Sequence, residues 1–155
     1  MHQRRSGYTL VEMLIVVVVL GGLALFSLPK FNGLVERNNI TAARQEIAAA
    51  VATARAAAIQ KGSTATVSLN GGLLTVTVVN AGGGGSTTLV GPKPLNTTYG
   101  VTITTNAAAD TAMTFDLRGF ARLGSTGIVR IAGTSRRDSL CLTTAGQIMP
   151  RGCSL

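Results

Sequence analysis

Residues 10–28 read LVEMLIVVVVLGGLALFSL. The stretch is apolar apart from one charge, Glu12. Taken with Tyr8 and Thr9 it predicts a helix about 30 Å long, enough to cross a bilayer core. Arg4 and Arg5 stand before it, and no acid does. Positive charge ahead of a first span predicts an N-terminus inside and the remainder outside. In a bacterial setting the outside is the periplasm, an oxidising compartment.

Several readings of this N-terminus compete. A soluble core helix is too short and too mixed to need so long and uniform an apolar run. A cleaved secretory signal fits the basic start, but neither the glutamate inside the apolar segment nor the lack of an A-x-A site. Twin-Arg export rests on Arg4-Arg5 alone. A plain signal anchor leaves Glu12 without a task, and a carboxylate in hydrocarbon is costly enough to require one. Cleavage after Gly7 would supply it, because the new ammonium at Tyr8 could pair with Glu12 of its own or a neighbouring helix.

The run Arg4-Arg5-Ser6-Gly7-Tyr8-Thr9-Leu10-Val11-Glu12 closely resembles the class III leader of type IV pilins and type II secretion pseudopilins. The resemblance implies a membrane peptidase that cuts after Gly7 and methylates Tyr8. It also implies a role for Glu12 in guiding subunits into a filament. Tyr8 stands where Phe is commoner. The implied segments are a cleaved leader over 1–7, a transmembrane and assembly half-helix over 8–29, an amphipathic half-helix over 30–62 and a periplasmic β-rich domain over 63–155.

After Pro29 a helical period resumes. Ile40, Ile47, Val51, Ala54 and Ala58 share one face, while Arg37, Arg44, Glu46 and Arg55 fall mostly elsewhere. Residues 41–59 are Ala-rich, with high helix propensity, and Gly62 is a stop. A continuous helix over 8–61 would be roughly 80 Å long. Beyond Gly62 the period changes to two. Strands are expected at 64–69 and 73–79, joined by a hairpin turn at Asn70-Gly71-Gly72. Others are expected at 87–90, 99–105, 112–117, 127–132, 139–143 and 146–149, with Pro92 and Pro94 as punctuation. Gly82–Gly85 lacks the G-K-[ST] ending of a phosphate loop and reads as a connection. The fold class is α+β, pilin-like: a long N-terminal helix packed on antiparallel sheet. The helix end, Ala54-Arg55 through Ile59-Gln60-Lys61-Gly62, and the F-x-x-x-G at Phe115–Gly119 resemble the GspH/FimT branch of pseudopilins.

Composition removes most catalytic designs. The chain has 155 residues, 14 Lys+Arg against 6 Asp+Glu, no Trp, two Cys and one His, at position 2. A tetrahedral zinc site cannot be completed from these. Any Ser-His or Cys-His pair would rest on His2, which leaves with the leader. Beyond residue 46 the only acids are Asp110, Asp116 and Asp138, too few for the oxygen ligands of a calcium loop. No metal, no cofactor and no enzymatic activity are expected. Cys141 and Cys153 lie in the part expected to be periplasmic. A disulfide between them would close a loop of about 13 residues, worth about 3 kcal/mol in the chain-entropy model; two separate buried thiols are the other reading.

Arg118, Arg122, Arg130, Arg136, Arg137 and Arg151 crowd the C-terminal part beside one acid, Asp138. They read as a solvated face, as a docking surface for acidic partners, or as a phosphate-contacting surface for DNA. Some FimT-like pilins bind DNA through a C-terminal G-R-x-R. This chain has Gly146-Gln147-Ile148-Met149 there, and few aromatics for stacking. The resemblance therefore implies a minor pseudopilin of a type II secretion system, a structural subunit of the pseudopilus at the bacterial inner membrane. Its partners would be other pilins or pseudopilins, the prepilin peptidase/N-methyltransferase and the inner-membrane assembly platform. The alternative is a FimT-like type IV pilus minor pilin that takes up DNA for natural transformation.

Overall fold

The computed structural model describes residues 8–82, 84–105, 112–122, 127–143 and 145–149, with side chains throughout these except at 25–32. The chain forms two units, which divide between Val35 and Glu36. Helix α1 runs Leu10–Lys61, 52 residues. In the first unit its described side chains, Glu12 apart, are apolar and exposed on every side, from Leu10 and Val11 to Leu20 and Leu23. A helix apolar all round has no polar face to give to water. Among the described residues no helix is long and apolar enough to cross a membrane; the apolar run read above continues past Ala24, the last described side chain before 33.

In the second unit α1 buries one stripe: Ile40, Ala43, Ile47, Ala50, Val51, Ala54 and Ala58. This is the face expected from the spacing, with alanines filling the positions between. Small residues let the sheets approach closely without voids. The helix ends in a Schellman motif: Ser63 N–H donates to Ala58 O (3.2 Å) and Gly62 N–H to Ile59 O (3.3 Å). Gly62 holds φ +58°, the left-handed region such a cap requires.

Two four-stranded antiparallel sheets face this stripe. One has the order β3-β2-β1-β5, the other β4-β6-β7-β8. The strands are β1 Ala65–Asn70, β2 Leu73–Val79, β3 Ser86–Pro94, β4 Thr102–Thr105, β5 Ala112–Phe115, β6 Gly127–Ala132, β7 Arg137–Leu142 and β8 Ile148–Met149. Val67, Leu74, Val76, Phe115, Ile131, Leu140 and Leu142 join the helix stripe in one core. The hairpin at residues 70–73 forms as read, with Asn70 opposite Leu73.

Several strand ends differ from the sequence reading by a few residues, and two regions differ more. β3 extends through Pro92 to Pro94, because it is an edge strand, where a missing N–H breaks no ladder. It also carries register shifts against β2 between Leu74 and Thr77. Residues Leu95–Tyr99 form a short helix, α2, so Tyr99 is not in a strand and β4 starts only at Thr102. Asn-Thr-Thr is a poor helix sequence. Tertiary contacts decide instead: Leu95 is fully buried, its N–H donates to Gly72 O at 2.9 Å, and Thr98 Oγ1 donates to Pro94 O at 2.6 Å.

Candidate functional site

The helix start is the first site. Thr9 is its N-cap: Thr9 Oγ1 accepts from the Glu12 N–H at 3.2 Å, and Thr9 O accepts from Met13 N–H at 3.3 Å. Glu12 therefore sits in the first turn, where a carboxylate meets the positive end of the helix dipole. Tyr8 is 77% exposed. Among the described residues no cation pairs with Glu12. Gly7 lies outside the described residues. Thr9 was not singled out above, although T-x-x-E at the head of an apolar run is a capping signature.

The second site is the arginine surface, which the structure divides. Arg118 and Arg122 belong to the connection after β5. There Asp116 Oδ1 accepts from the N–H groups of Arg118 and Phe120, both at 2.9 Å, and Gly119 turns the chain at φ +79° against Arg55 and Ile59 of α1. Phe120 is 55% exposed between the two arginines. Arg130 and Arg137 stand elsewhere, on the face of the second sheet turned away from the core. Val129 and Ile131 point inward, Arg130 outward, and Arg137 is paired with Ala132 on the same side. With Thr104 and Ser139 they line a cleft of about 470 Å³. Arg136 occupies the β6–β7 turn. Arg151 lies outside the described residues.

Sequence reasoning missed the polar ties between α1 and the sheets. The Glu36 carboxylate accepts from the backbone N–H of Ser135 (2.6 Å) and Arg136 (3.0 Å). Gly133 leaves it room, since a Cβ there would collide with the carboxylate. The Ser135 N–H holds the Glu36 carboxyl below its ordinary pKa; desolvation opposes this, and the N–H and charge of Arg136 add to it. Arg44 pairs with Asp138 at 3.3 Å. Glu46 pairs with Lys93 at 2.8 Å and accepts from Tyr99 Oη at 3.5 Å. That hydrogen bond to Glu46 raises the Lys93 pKa, chiefly against desolvation. Among the described residues no group of His, Cys, Asp and Glu could hold a metal ion.

Cys141 is fully buried and Ile128 opposite it is buried, on the same outer sheet face that exposes Arg130 and Arg137. Cys153 lies outside the described residues.

A long N-terminal helix with a capped apolar start, laid by its second half on two antiparallel sheets, is the pilin architecture. The family model for the prokaryotic N-terminal methylation motif matches residues 2–28. The chain thus joins that N-terminal motif to a type IV pilin-like fold. Its fold is shared with the type IV minor pilin FimU of Pseudomonas aeruginosa. One crystal form of FimU superposes with a TM-score of 0.56 at 23% identity, over 74% of this chain and 89% of FimU. A second gives 0.53 at 20%, over 70% and 90%. No curated protein matches the chain.

Proposed function

We propose that this chain is a minor pseudopilin of the GspH/FimT type, a structural subunit of a type II secretion pseudopilus. It is made as a prepilin whose residues 1–7 are the leader. The prepilin peptidase cuts after Gly7 and methylates Tyr8. Residues 8–29 hold the subunit in the inner membrane, N-terminus in the cytoplasm, and later pack against other subunits. The 63–155 domain stands in the periplasm, where Cys141 and Cys153 pair.

The observation that carries this reading is the helix start. Thr9 caps α1 immediately after Tyr8, so a new ammonium at Tyr8 lies next to the first turn that holds Glu12. An opposite charge that near is the partner a carboxylate at the head of an apolar helix needs. The test is the intact mass of the protein made with and without a prepilin peptidase. Loss of residues 1–7 together with gain of one methyl group supports it; a mature protein that keeps 1–7 rejects it. Glu12→Ala should still be cleaved but should enter filaments poorly.

One observation favours the second reading, a type IV pilus minor pilin that binds DNA. Exposed Phe120 between Arg118 and Arg122 joins a stacking surface to phosphate-binding cations. Binding of an oligonucleotide that falls steeply with salt, and is lost in Arg118→Gln/Arg122→Gln, would support it.

A further inference from the structure

α1 and the β6–β7 hairpin border an open cleft of about 360 Å³. Its wall carries Arg37 and Arg44 from the helix and Arg136 and Arg137 from the hairpin, with Asp138 among them; Arg137, at the first position of β7, borders both this cleft and the one beside Arg130. Neither helix arginine belongs to the C-terminal group that the sequence singles out. Four arginines line the cleft beside one carboxylate, Asp138, while Glu36 binds the backbone of the adjoining hairpin turn, and both carboxylates are engaged. Asp138 is held by Arg44, and Glu36 is held by the hairpin N–H groups. Among the described residues Arg37 and Arg137 have no ion-pair partner, and both are exposed.

We propose that this cleft is a docking site for an acidic peptide segment of a neighbouring protein subunit, with Arg37 and Arg137 as its principal anchors. The assignment to a neighbouring subunit rests on the filament reading above; the binding chemistry does not. Three observations favour a peptide carboxylate. Arg44, which lines the cleft, already holds one carboxylate, so the geometry accepts that group. The cleft is small and open to solvent, accessible to side chains that project from a peptide. It also contains no aromatic residue, so it lacks the platform on which single-stranded nucleic acid stacks. The site is built before the ligand arrives, because Glu36 fixes the hairpin tip that carries Arg136 and Arg137. A rigid site spends less free energy on ordering side chains when it binds.

The test uses the full chain in detergent micelles with a labelled hexaglutamate peptide, a hexaserine control and a single-stranded oligothymidine. Arg37→Gln/Arg137→Gln should weaken hexaglutamate binding about tenfold or more, since two charge-assisted forks are lost. Arg37→Lys/Arg137→Lys should fall between, because charge stays and the fork goes. Arg118→Gln/Arg122→Gln should leave the affinity unchanged. Circular dichroism melts establish that each variant is folded. Hexaglutamate binding no better than hexaserine overturns the proposal, as does equal loss in both arginine-to-glutamine pairs. Oligothymidine binding lost through Arg37 and Arg137 would give the cleft to nucleic acid and also overturn it. Retention of residues 1–7 would sink the filament reading while leaving this result untouched.

Discussion

The carboxylate of Glu36 accepts the backbone N–H of Ser135 at 2.6 Å, from 99 positions earlier in the chain. One helix side chain thereby braces a hairpin turn that its own Gly133 N–H to Arg136 O bond (2.8 Å) already closes. Its pKa is depressed in the folded protein, so its contribution is present above the unfolded value and lost as pH falls through the folded one.

Glu36→Gln should accordingly lower the melting temperature at neutral pH. The gap between wild type and variant should close as the pH drops below the ordinary carboxylate range. Melts followed by circular dichroism at neutral pH and at a pH where the carboxyl is protonated check this. An equal gap at both would mean that charge plays no part.

Lys93 carries the opposite sign. Glu46 raises its pKa, so its stabilisation is present below the unfolded value and is lost as pH rises through the folded value. Lys93→Gln should melt lower at neutral pH and match wild type only at strongly alkaline pH. A deficit that persists there would assign the loss to the lysine's packing over Tyr99, whose ring centre is 5.9 Å from Nζ.

Gly119 holds φ +79°, and a Cβ there would come within 2.7 Å of Ile59 Cδ1. Gly119→Ala should cost about 1–3 kcal/mol from left-handed backbone and overlap together. Ile59 is 52% exposed, so Ile59→Ala alone should cost at most about 1 kcal/mol. Combined with Gly119→Ala it should restore part of the loss, read as a coupling energy in urea denaturation. Strict additivity would leave only the backbone effect.

If Cys141 and Cys153 pair, the unfolded, unreduced protein should take up no alkylating reagent. Reduction should then lower stability by about 3 kcal/mol. Two alkylated thiols without reductant would show a pair of separate cysteines.

The buried stripe of α1 was legible because its apolar residues recur at helical spacing and meet nothing but core. β1, β2 and their turn were legible for a similar reason, as β-branched alternation around Asn70-Gly71-Gly72. α2 was not, since burial of Leu95 outweighs the poor propensity of its neighbours. Arg44 and Glu46 read only as the polar side of a helix, and nothing in the local pattern marks Glu36. Their partners Ser135, Asp138 and Lys93 lie far along the chain, and no local pattern links them. For the same reason the C-terminal arginines read as one group. The sheets send Arg118 and Arg122 to one place and Arg130 and Arg137 to another, and bring Arg37 to Arg136 and Arg137.

The ties at Glu36, Arg44 and Glu46 and the apolar seam from Ile40 to Ala58 all lie along one helix. A tug along the axis of that helix would load them side by side, in shear, so that they yield together or not at all. The same tug applied across the axis would peel them one after another, Glu36 first. The second unit is thus mechanically anisotropic, stiff along the direction in which its helix enters and weaker at right angles to it.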